Sequence, residues 1–425
     1  MTTETKPDIT GEPAKEKFFT TPLMIIFATV FIDLIGFGMV IPILPYYAHT
    51  EPFMATPLDI GFLFASYSLM QFFFSPLLGR LSDRYGRRPI LFFSLVGSAV
   101  GYLTLGLANT LFLVFLGRII GGVSGGNIST AQAYIADVTS KENRAKGMGL
   151  FGAAFGLGFI LGPAMAGILS KYGVNVPFYV AAAMSLANAI ALYFILPESI
   201  KPGAQANMPA RKNRLLELFD SLSEKTFRDL NLIYFLLITA FSIMTYAFVL
   251  YTSFRFEYDA EKNGYLFAFV GVISILVQGV LFGRLVKRYG ETALIVVGCA
   301  VLVVSLFALP FIGPNYGGVA ALLVGLAVMS FGNSLASPGL TSLASKSADE
   351  HDQGRTMGIM QSGASMARTI GPLLGGFLLN NALNAIDDNT IYRTFWAASI
   401  IMFVALLVAV FFARSKRTNV IERVN

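Results

Sequence analysis

The sequence predicts an all-α membrane protein whose twelve transmembrane helices form two pseudo-symmetric six-helix bundles. Three observations predict this fold: a scarcity of charge, twelve apolar runs of helix length, and an internal repeat. Of the 425 residues, 55% are hydrophobic and only 13% are charged, whereas a soluble domain carries about 25% charged residues. A surface that faces lipid explains this deficit, because a soluble surface needs charge however large its core is.

Each predicted helix is an apolar run of about 20 residues, which crosses a bilayer with every backbone group hydrogen-bonded internally. The first six predicted spans are 22–48, 57–79, 89–109, 110–137, 145–170 and 175–196. After a polar gap, the second six are 231–255, 262–284, 292–313, 315–345, 355–380 and 391–413.

The polar segments between these runs predict the domain organisation. The expected parts are a tail at 1–21, a first bundle at 22–196, a linker at 197–230, a second bundle at 231–413 and a tail at 414–425. In the linker, apolar residues between Leu215 and Leu222 recur near helical spacing, which predicts an amphipathic helix at the membrane interface. A solvated tether is the alternative interpretation of the same pattern.

The basic residues predict the orientation of the chain. Of the 31 Lys and Arg residues, 25 fall in the two tails, the linker and the loops on the same side. The opposite side holds four (Lys171, Arg255, Lys262 and Arg393), and two arginines, Arg118 and Arg368, lie within spans. By the positive-inside rule both termini are cytoplasmic.

Several functional classes are excluded by the residue inventory. Cys299 is the single cysteine and there are two histidines, so neither an internal disulfide nor a Cys/His metal site is expected. No pair of nucleophile and base is visible within the spans, which argues against an enzyme. The basic residues occupy short loops and form no continuous face for nucleic acid. We therefore expect no cofactor, with a proton gradient as the energy source.

An internal repeat relates the two halves. The segment from Gly79 to Gly86 (GRLSDRYG) corresponds to the segment from Gly283 to Gly290 (GRLVKRYG), 204 residues later. Gly-Pro pairs begin at Gly162 and Gly371, in the fifth helix of each half. Duplicated bundles related by an axis along the membrane normal form transporters with a central site between the halves. The repeat therefore predicts alternating access.

At these residues the sequence resembles the major facilitator superfamily over nearly its whole length. The loop from Gly79 to Arg88 resembles the superfamily's signature between helices 2 and 3, and Arg118-Ile-Ile-Gly-Gly resembles its helix 4 motif. Asp33-Leu-Ile-Gly-Phe-Gly resembles the helix 1 motif of the drug:proton antiporter branch with twelve helices, and within that branch the chain resembles tetracycline efflux antiporters. The resemblance implies a monomer in a bacterial inner membrane.

The signature loop predicts a conformational latch, and loop charge that only follows the positive-inside rule is the alternative interpretation. Asp83 is an acid among arginines and is expected to cap a helix N-terminus of the other half. Arg87 is expected to bridge to Asp137 at the end of helix 4. The second repeat has Lys287 in place of the acid, which predicts a weaker or differently wired latch there. The predicted latch residues are Gly79, Asp83, Arg84, Gly86, Arg87, Arg88 and Asp137.

The fifth helix resembles the motif of antiporters, which implies export. The motif residues are Gly158, Gly162, Pro163 and Gly167. Gly156, Gly158, Gly162 and Pro163 are expected to allow close helix contact. Plain packing and a kink are the alternative role of these residues.

Charges within the spans are the candidate coupling residues, because an ionised group at the bilayer centre costs about 2.5–3.5 kcal/mol. Asp33 lies eleven residues into helix 1, about 16 Å deep, and is the predicted proton carrier, with a structural ion pair as the alternative. Arg118 is expected to pair with Asp33 or with cargo. Arg368 either packs against carbonyl groups or faces an anion in the cavity.

Polar residues in the spans are the remaining candidates for a substrate cavity or for contacts between helices. The complete predicted cavity set is Gln71, Arg118, Asn127, Gln132, Tyr246, Gln278, Asn333, Gln361 and Arg368.

The predicted cargo is a small amphiphilic molecule, with drugs of tetracycline type the nearest named class. The resemblance implies further membrane acids in helices 3 and 9, but the matching regions read Val100-Gly-Tyr and Cys299-Ala-Val-Leu. One acid against two bases favours neutral, zwitterionic or anionic cargo. The alternatives are a metabolite uptake symporter or a lipid or glycolipid translocator of the same fold, and a receptor or scaffold that transports nothing.

Overall fold

The computed structural model describes residues 20–139, 143–200, 225–347 and 353–424. Within these ranges the chain forms twelve helical rods, numbered here in chain order. The first six are α1 Thr21–His49, α2 Pro57–Tyr85, α3 Arg87–Gly106, α4 Leu111–Val138, α5 Arg144–Ser170 and α6 Val176–Ile195. The second six are α7 Lys225–Phe256, α8 260–289, α9 291–308, α10 Gly318–Ser347, α11 Gln353–Leu379 and α12 Asp388–Val424.

Most of the rods are long and apolar enough to be membrane spans. Among the described residues, nine helices are long and apolar enough to cross a membrane, and the longest, Ala260–Phe311, turns at Gly290 and so comprises both α8 and α9. The two rods outside that group are α5 and α11. The fold is therefore the predicted all-α membrane architecture with twelve helices.

The internal repeat is visible in matched hydrogen bonds. The Tyr47 hydroxyl, near the end of α1, donates to the Leu105 carbonyl oxygen at 2.8 Å. The Tyr251 hydroxyl, 204 residues later in α7, donates to the Leu309 carbonyl oxygen at 3.2 Å, which is also 204 residues later. Equivalent helices therefore meet through the same side chain and the same backbone group in both halves.

Glycine occupies the turn after the second helix of each half. Gly86 has φ of +102° and Gly290 has φ of +76°, which is the left-handed region that side chains disfavour. The two glycines stand at the same place in the repeated segment. The glycine repeated at this position allows the sharp turn from α2 into α3 and from α8 into α9.

The largest contacts between the two sets of helices are made by four helices that carry glycine at the points of contact. α2 packs against α11, and α5 packs against α8. A Cβ atom added at Gly61 would lie 2.6 Å from the Pro372 carbonyl oxygen, and one added at Gly264 would lie 2.4 Å from Gly167 Cα. Both pairs of helices therefore approach backbone to backbone at the same end of the molecule, which we call the closed end.

The opposite end, which carries the loop from Gly79 to Arg88, is called the motif end. α5 and α8 touch at Gly167 and Gly264 and again where Gly271 faces the Ile160 side chain. Further toward the motif end, Gly156 of α5 and Gly279 of α8 have no atoms within 4 Å of a Cβ position. The two helices therefore diverge, and the space between the halves opens toward the motif end.

The structure describes the second predicted tail but not the linker helix or most of the first tail. α12 continues as a helix to Val424, through the residues predicted to be a tail. The predicted amphipathic helix between Leu215 and Leu222 and most of the first tail lie outside the described residues. The predicted division into two bundles and a linker stays a prediction.

Candidate transport site

A small cavity lies between the two sets of helices. Eight of its nine lining residues come from the first half and one comes from α11. The lining residues are Asp33, Leu34, Phe37, Tyr67, Gln71, Gly125, Ile128, Phe159 and Arg368.

Asp33 is the acidic residue of this cavity. It lies twelve residues after the start of α1, about 18 Å along the helix axis. Its Oδ2 atom accepts a hydrogen bond from Asn127 Nδ2 at 3.4 Å. A second space of about 290 Å³, which Asn127 and Thr29 help to line, also reaches Asp33. The carboxyl group therefore stands where two cavities meet.

Local packing fixes the position of Asp33. A Cβ atom added at Gly158 would lie 2.6 Å from the Cβ atom of Leu34, the next residue after Asp33. A Cβ atom added at Gly162 would lie 2.6 Å from the Ile35 carbonyl oxygen. α1 and α5 are therefore held together by glycines on the closed-end side of Asp33. The Asp33 carboxyl group is presented on a helix that cannot move away from α5 at this level.

Arg118 does not pair with Asp33, contrary to one of the two predictions for this residue. Its side chain is buried, and Nε donates to the Leu63 carbonyl oxygen at 3.2 Å. The guanidinium carbon lies 4.4 Å from the centre of the Tyr67 ring and 5.7 Å from that of Phe64. A cation over aromatic faces and a backbone carbonyl is stabilised without a carboxylate, so the structure satisfies Arg118 on the α2 side.

Arg368 is the residue of the second half that reaches the cavity. It is half-buried in α11, and its Nη2 atom donates to Ser365 Oγ at 3.2 Å, one turn earlier in the same helix. Asp33 and the aromatic residues Phe37, Tyr67 and Phe159 line the same cavity.

Among the other polar residues predicted for the cavity, Gln71 and Asn127 are brought to the site. Gln71 lines the main cavity, where its Nε2 atom donates to the Gly125 carbonyl oxygen at 3.0 Å. Asn127 bonds to Asp33, as described above. The predicted residues that line neither of the two described cavities are Arg118, Gln132, Tyr246, Gln278, Asn333 and Gln361.

Tyr246 and Gln278 have other contacts in this structure. The buried Tyr246 hydroxyl donates to the Pro57 carbonyl oxygen across the two halves, and its ring packs against Gly375. It therefore belongs to the closed end instead of the cavity. Gln278 Nε2 donates to Ser334 Oγ at 3.3 Å within the second half. Polarity within a span did not distinguish these contacts between helices from cavity positions.

At the motif end, Arg87 is the centre of a charged network. Its side chain is 5% exposed, and Nε lies 3.1 Å from Asp137 Oδ2 at the end of α4. Nη1 lies 2.5 Å from Asp83 Oδ1 and 2.6 Å from Ser82 Oγ. The network joins the end of α2, the start of α3 and the end of α4.

Asp83 thus pairs with Arg87 of its own half, whereas the sequence predicted that it caps a helix of the other half. Because the space between the halves opens toward the motif end, this conformation separates the helices that such a cap requires. Arg84 and Arg88 lie over aromatic rings, those of Tyr85 and Tyr193 respectively, at 5.2 and 5.0 Å from the ring centres. Arg88 also donates to the Tyr193 carbonyl oxygen.

Glu198 is a member of this network that sequence reasoning missed. Its carboxylate accepts hydrogen bonds from the backbone N–H groups of Arg87 at 2.9 Å and Arg88 at 3.1 Å, so it caps the N-terminus of α3. A Cβ atom at Gly86 would lie 2.5 Å from Glu198 Oε2, so glycine is needed there for space as well as for its φ angle. The one sign of this cap in the sequence is an acidic residue in the segment after helix 6, and that residue lies 111 positions from Arg87.

A second network, at the motif end of the other half, has the opposite polarity. Glu291 begins α9 where Arg87 begins α3, and its Oε1 atom accepts from Ser342 Oγ at 3.3 Å and from Lys346 Nζ near the end of α10. The acid now stands on the third helix of the half and the base on the fourth. The two networks thus differ in which helix carries the acid and which carries the base. A weaker or differently wired second latch stays a prediction.

The predicted antiporter residues of α5 divide between two partners. Gly158 and Gly162 pack against α1, whereas Gly167 and the Pro163 carbonyl oxygen lie against Gly264 of α8. Gly156 has open space beside it, so the expectation that it allows close helix contact is wrong in this conformation. The motif thus packs α5 against α1 of its own half and against α8 of the second half.

A sequence profile for the Major Facilitator Superfamily matches residues 26–354 and 317–423. The chain is 31% identical over 400 residues to tetracycline resistance protein, class H, of Pasteurella multocida, which covers 93% of this chain and 97% of that protein. It is 27% identical to multidrug resistance protein 2 of Bacillus subtilis (strain 168), with 91% and 94% covered.

A solved structure shares the fold. The crystal structure of the human organic anion transporter MFSD10 (TETRAN) superposes with a TM-score of 0.68 at 23% sequence identity, over 92% of this chain and 99% of that one. At this identity the likeness concerns the fold alone.

Proposed function

Because the chain belongs to the major facilitator superfamily and is a membrane transporter instead of an enzyme, we propose that it is a proton-coupled exporter of amphiphilic small molecules. The single observation that carries this proposal is the placement of Asp33 in the cavity between the halves. A carboxyl group there can take up a proton when cargo is absent and lose it when cargo binds. Drugs of tetracycline type are the nearest named class, since the tetracycline resistance proteins of classes H and B are each 31% identical to the chain over the aligned residues.

In the proposed cycle, both termini are cytoplasmic and the closed end faces outward. The described conformation is then open toward the cytoplasm, where the cavity takes cargo from the cytosol or the inner leaflet. Cargo binding releases the proton from Asp33, the motif end closes, and the glycine contacts of the closed end separate. Protonation of Asp33 from outside follows cargo release and returns the protein to the described conformation.

The groups around Asp33 suit this exchange. Asn127 donates to the ionised carboxylate and can turn its amide oxygen toward the protonated form. Arg118, held by Tyr67 and Leu63, contributes a fixed positive charge without occupying the carboxylate. Asp33 therefore changes its proton without breaking an ion pair that the fold depends on.

An uptake symporter of the same fold is the second candidate function, and transport direction separates the two. The packing of Gly158, Gly162 and Gly167 supports the export proposal, because in the resemblance this motif marks antiporters.

The test is a pH measurement inside everted vesicles after addition of tetracyclines, cationic dyes and anionic amphiphiles. We expect cargo-triggered proton movement in the wild type and none in Asp33→Asn. Proton movement that is unchanged in Asp33→Asn would assign Asp33 a structural role. No response of the wild type to any compound would contradict drug export and favour a lipid or a narrow metabolite.

A further inference from the structure

We infer that Arg368 forms an anion subsite, so that the cargo of the proposed exporter is an organic anion with an aromatic body. This inference rests on the proposed function, because it specifies what the same cavity binds. It starts from an imbalance in the cavity lining: the second half contributes one residue, and that residue is a permanent cation.

Among the residues that the structure describes, no carboxylate lies within ion-pairing distance of the Arg368 guanidinium group. Asp33, in the same cavity, bonds to Asn127. A charge within a membrane span normally has a partner or a function. The cavity is therefore the place from which a partner would come.

The guanidinium group of Arg368 has more N–H donors than its hydrogen bond to Ser365 uses. One guanidinium nitrogen, Nη2, is engaged with Ser365 Oγ at 3.2 Å, and this bond orients the group from its own helix. A guanidinium group has five N–H donors in a planar fork, which binds a carboxylate or sulfonate through two parallel hydrogen bonds. Arg118 has no such role, since it is buried over Tyr67 and bonded to Leu63.

The remainder of the cavity lining defines the body of the ligand. Phe37, Tyr67 and Phe159 form an aromatic wall, in which the Phe37 ring centre lies 5.1 Å from that of Tyr67 and 5.6 Å from that of Phe159. Such a wall suits a flat ring system through offset stacking and edge contacts. The chemistry assigned to the ligand is thus an anionic head on Arg368 and aromatic rings against α1, α2 and α5.

The position of Arg368 also connects anion binding to the closed end. Pro372, one helical turn further along α11, is the residue whose carbonyl oxygen meets Gly61 of α2. A ligand that bridges Arg368 and the aromatic wall of the first half would span the two halves beside this contact. Binding of the anion would therefore act on the helix pair that has to separate when the closed end opens.

The experiment measures binding of 2-naphthalenesulfonate and 2-naphthalenesulfonamide to the purified full-length protein, by the fluorescence of the naphthalene ring. The two probes share the ring and differ in charge. We expect Arg368→Gln to weaken sulfonate binding at least tenfold and to change sulfonamide binding less than twofold. Arg368→Lys should retain part of the sulfonate affinity. Arg288→Gln, on the exposed surface of α8, is the matched control and should change neither.

Each of the following results would overturn a different claim. Equal loss of both probes in Arg368→Gln, in a protein with unchanged thermal unfolding, would overturn the subsite and make Arg368 structural. Equal wild-type affinities for the two probes, with proton-coupled drug export intact, would overturn the anion assignment and leave the proposed function standing. Failure of proton-coupled export with sulfonate binding retained would overturn the proposed function alone. Tighter binding of short-chain phosphatidylglycerol than of the sulfonate would reassign the subsite to a lipid headgroup.

Discussion

The two halves of the molecule share a backbone plan and differ in their charges. Tyr47 and Tyr251 make the same hydrogen bond at equivalent positions, and Gly86 and Gly290 make the same turn. By contrast, the first half carries Asp33 in the cavity, and the second half carries a cation. The duplicated contacts define the scaffold, and the differences identify the residues that we associate with transport.

The charged networks at the motif end show the same divergence. In the first half the third helix begins with a base, Arg87, which meets the acid Asp137 of the fourth helix. In the second half it begins with an acid, Glu291, which meets the base Lys346. The connection between the third and fourth helices is retained while its polarity is reversed. A pair of opposite charges can thus be kept without keeping either residue.

The largest expected effect comes from the glycine contacts of the closed end, where the two halves are equivalent. We expect Gly61→Val and Gly264→Val each to abolish transport, because a side chain at either position would overlap the backbone of the opposing helix. The measurement is reaction of Phe37→Cys, in a Cys299→Ser background, with an impermeant maleimide applied from the closed-end side. Reaction should be fast in both valine variants and slow without them.

The matched control for these variants is Gly156→Val, since this glycine has open space beside it in the described conformation. It should leave the maleimide reaction slow. A large effect of Gly61→Val beside none of Gly264→Val would contradict the equivalence of the two contacts.

An intermediate effect is expected from the two charged networks, and here the halves should differ. Arg87→Gln removes a buried group with several charged and polar partners and should lower the free energy of unfolding by about 2 kcal/mol. Lys346→Gln should cost less than about 1 kcal/mol, because the Lys346 side chain is 63% exposed. Unfolding of both variants in detergent measures the difference, and equal losses would contradict it.

The reversed polarity gives a sharper form of this prediction. The double variant Glu291→Lys with Lys346→Glu should unfold close to the wild type, since it restores an ion pair with the charges exchanged. The single variant Glu291→Lys places two bases together and should be the less stable of the two. A double variant no better than the single one would show that the pairing contributes nothing.

The smallest expected effect is that of the matched tyrosines. Tyr47→Phe and Tyr251→Phe each remove a hydroxyl that donates to backbone carbonyl groups and keep the ring. A hydrogen bond between transmembrane helices contributes about 0.6 kcal/mol on average, so both losses should be of that order and similar to each other. Unfolding in detergent tests this, and a several-fold difference between the two variants would argue against equivalent roles.

The helices and their repeat could be predicted from the sequence because apolarity, length and the spacing of glycine act locally. The partners of the polar residues could not. Glu198 caps α3 from 111 residues away, Arg118 lies over Tyr67 instead of beside Asp33, and Tyr246 closes one end instead of lining the cavity. Each contact depends on how the helices are rotated and which end is closed, and residue type does not encode either.

The central claim is that Asp33 exchanges a proton for cargo, and transport by Asp33→Asn in proteoliposomes tests it most directly. Two modes are measured with one labelled cargo: accumulation driven by a pH gradient, and exchange of cargo for cargo without a gradient. The account predicts that Asp33→Asn loses accumulation and keeps exchange, because the cavity and the helix movement remain while the proton site is gone. Accumulation that persists in Asp33→Asn at the wild-type level would contradict the account.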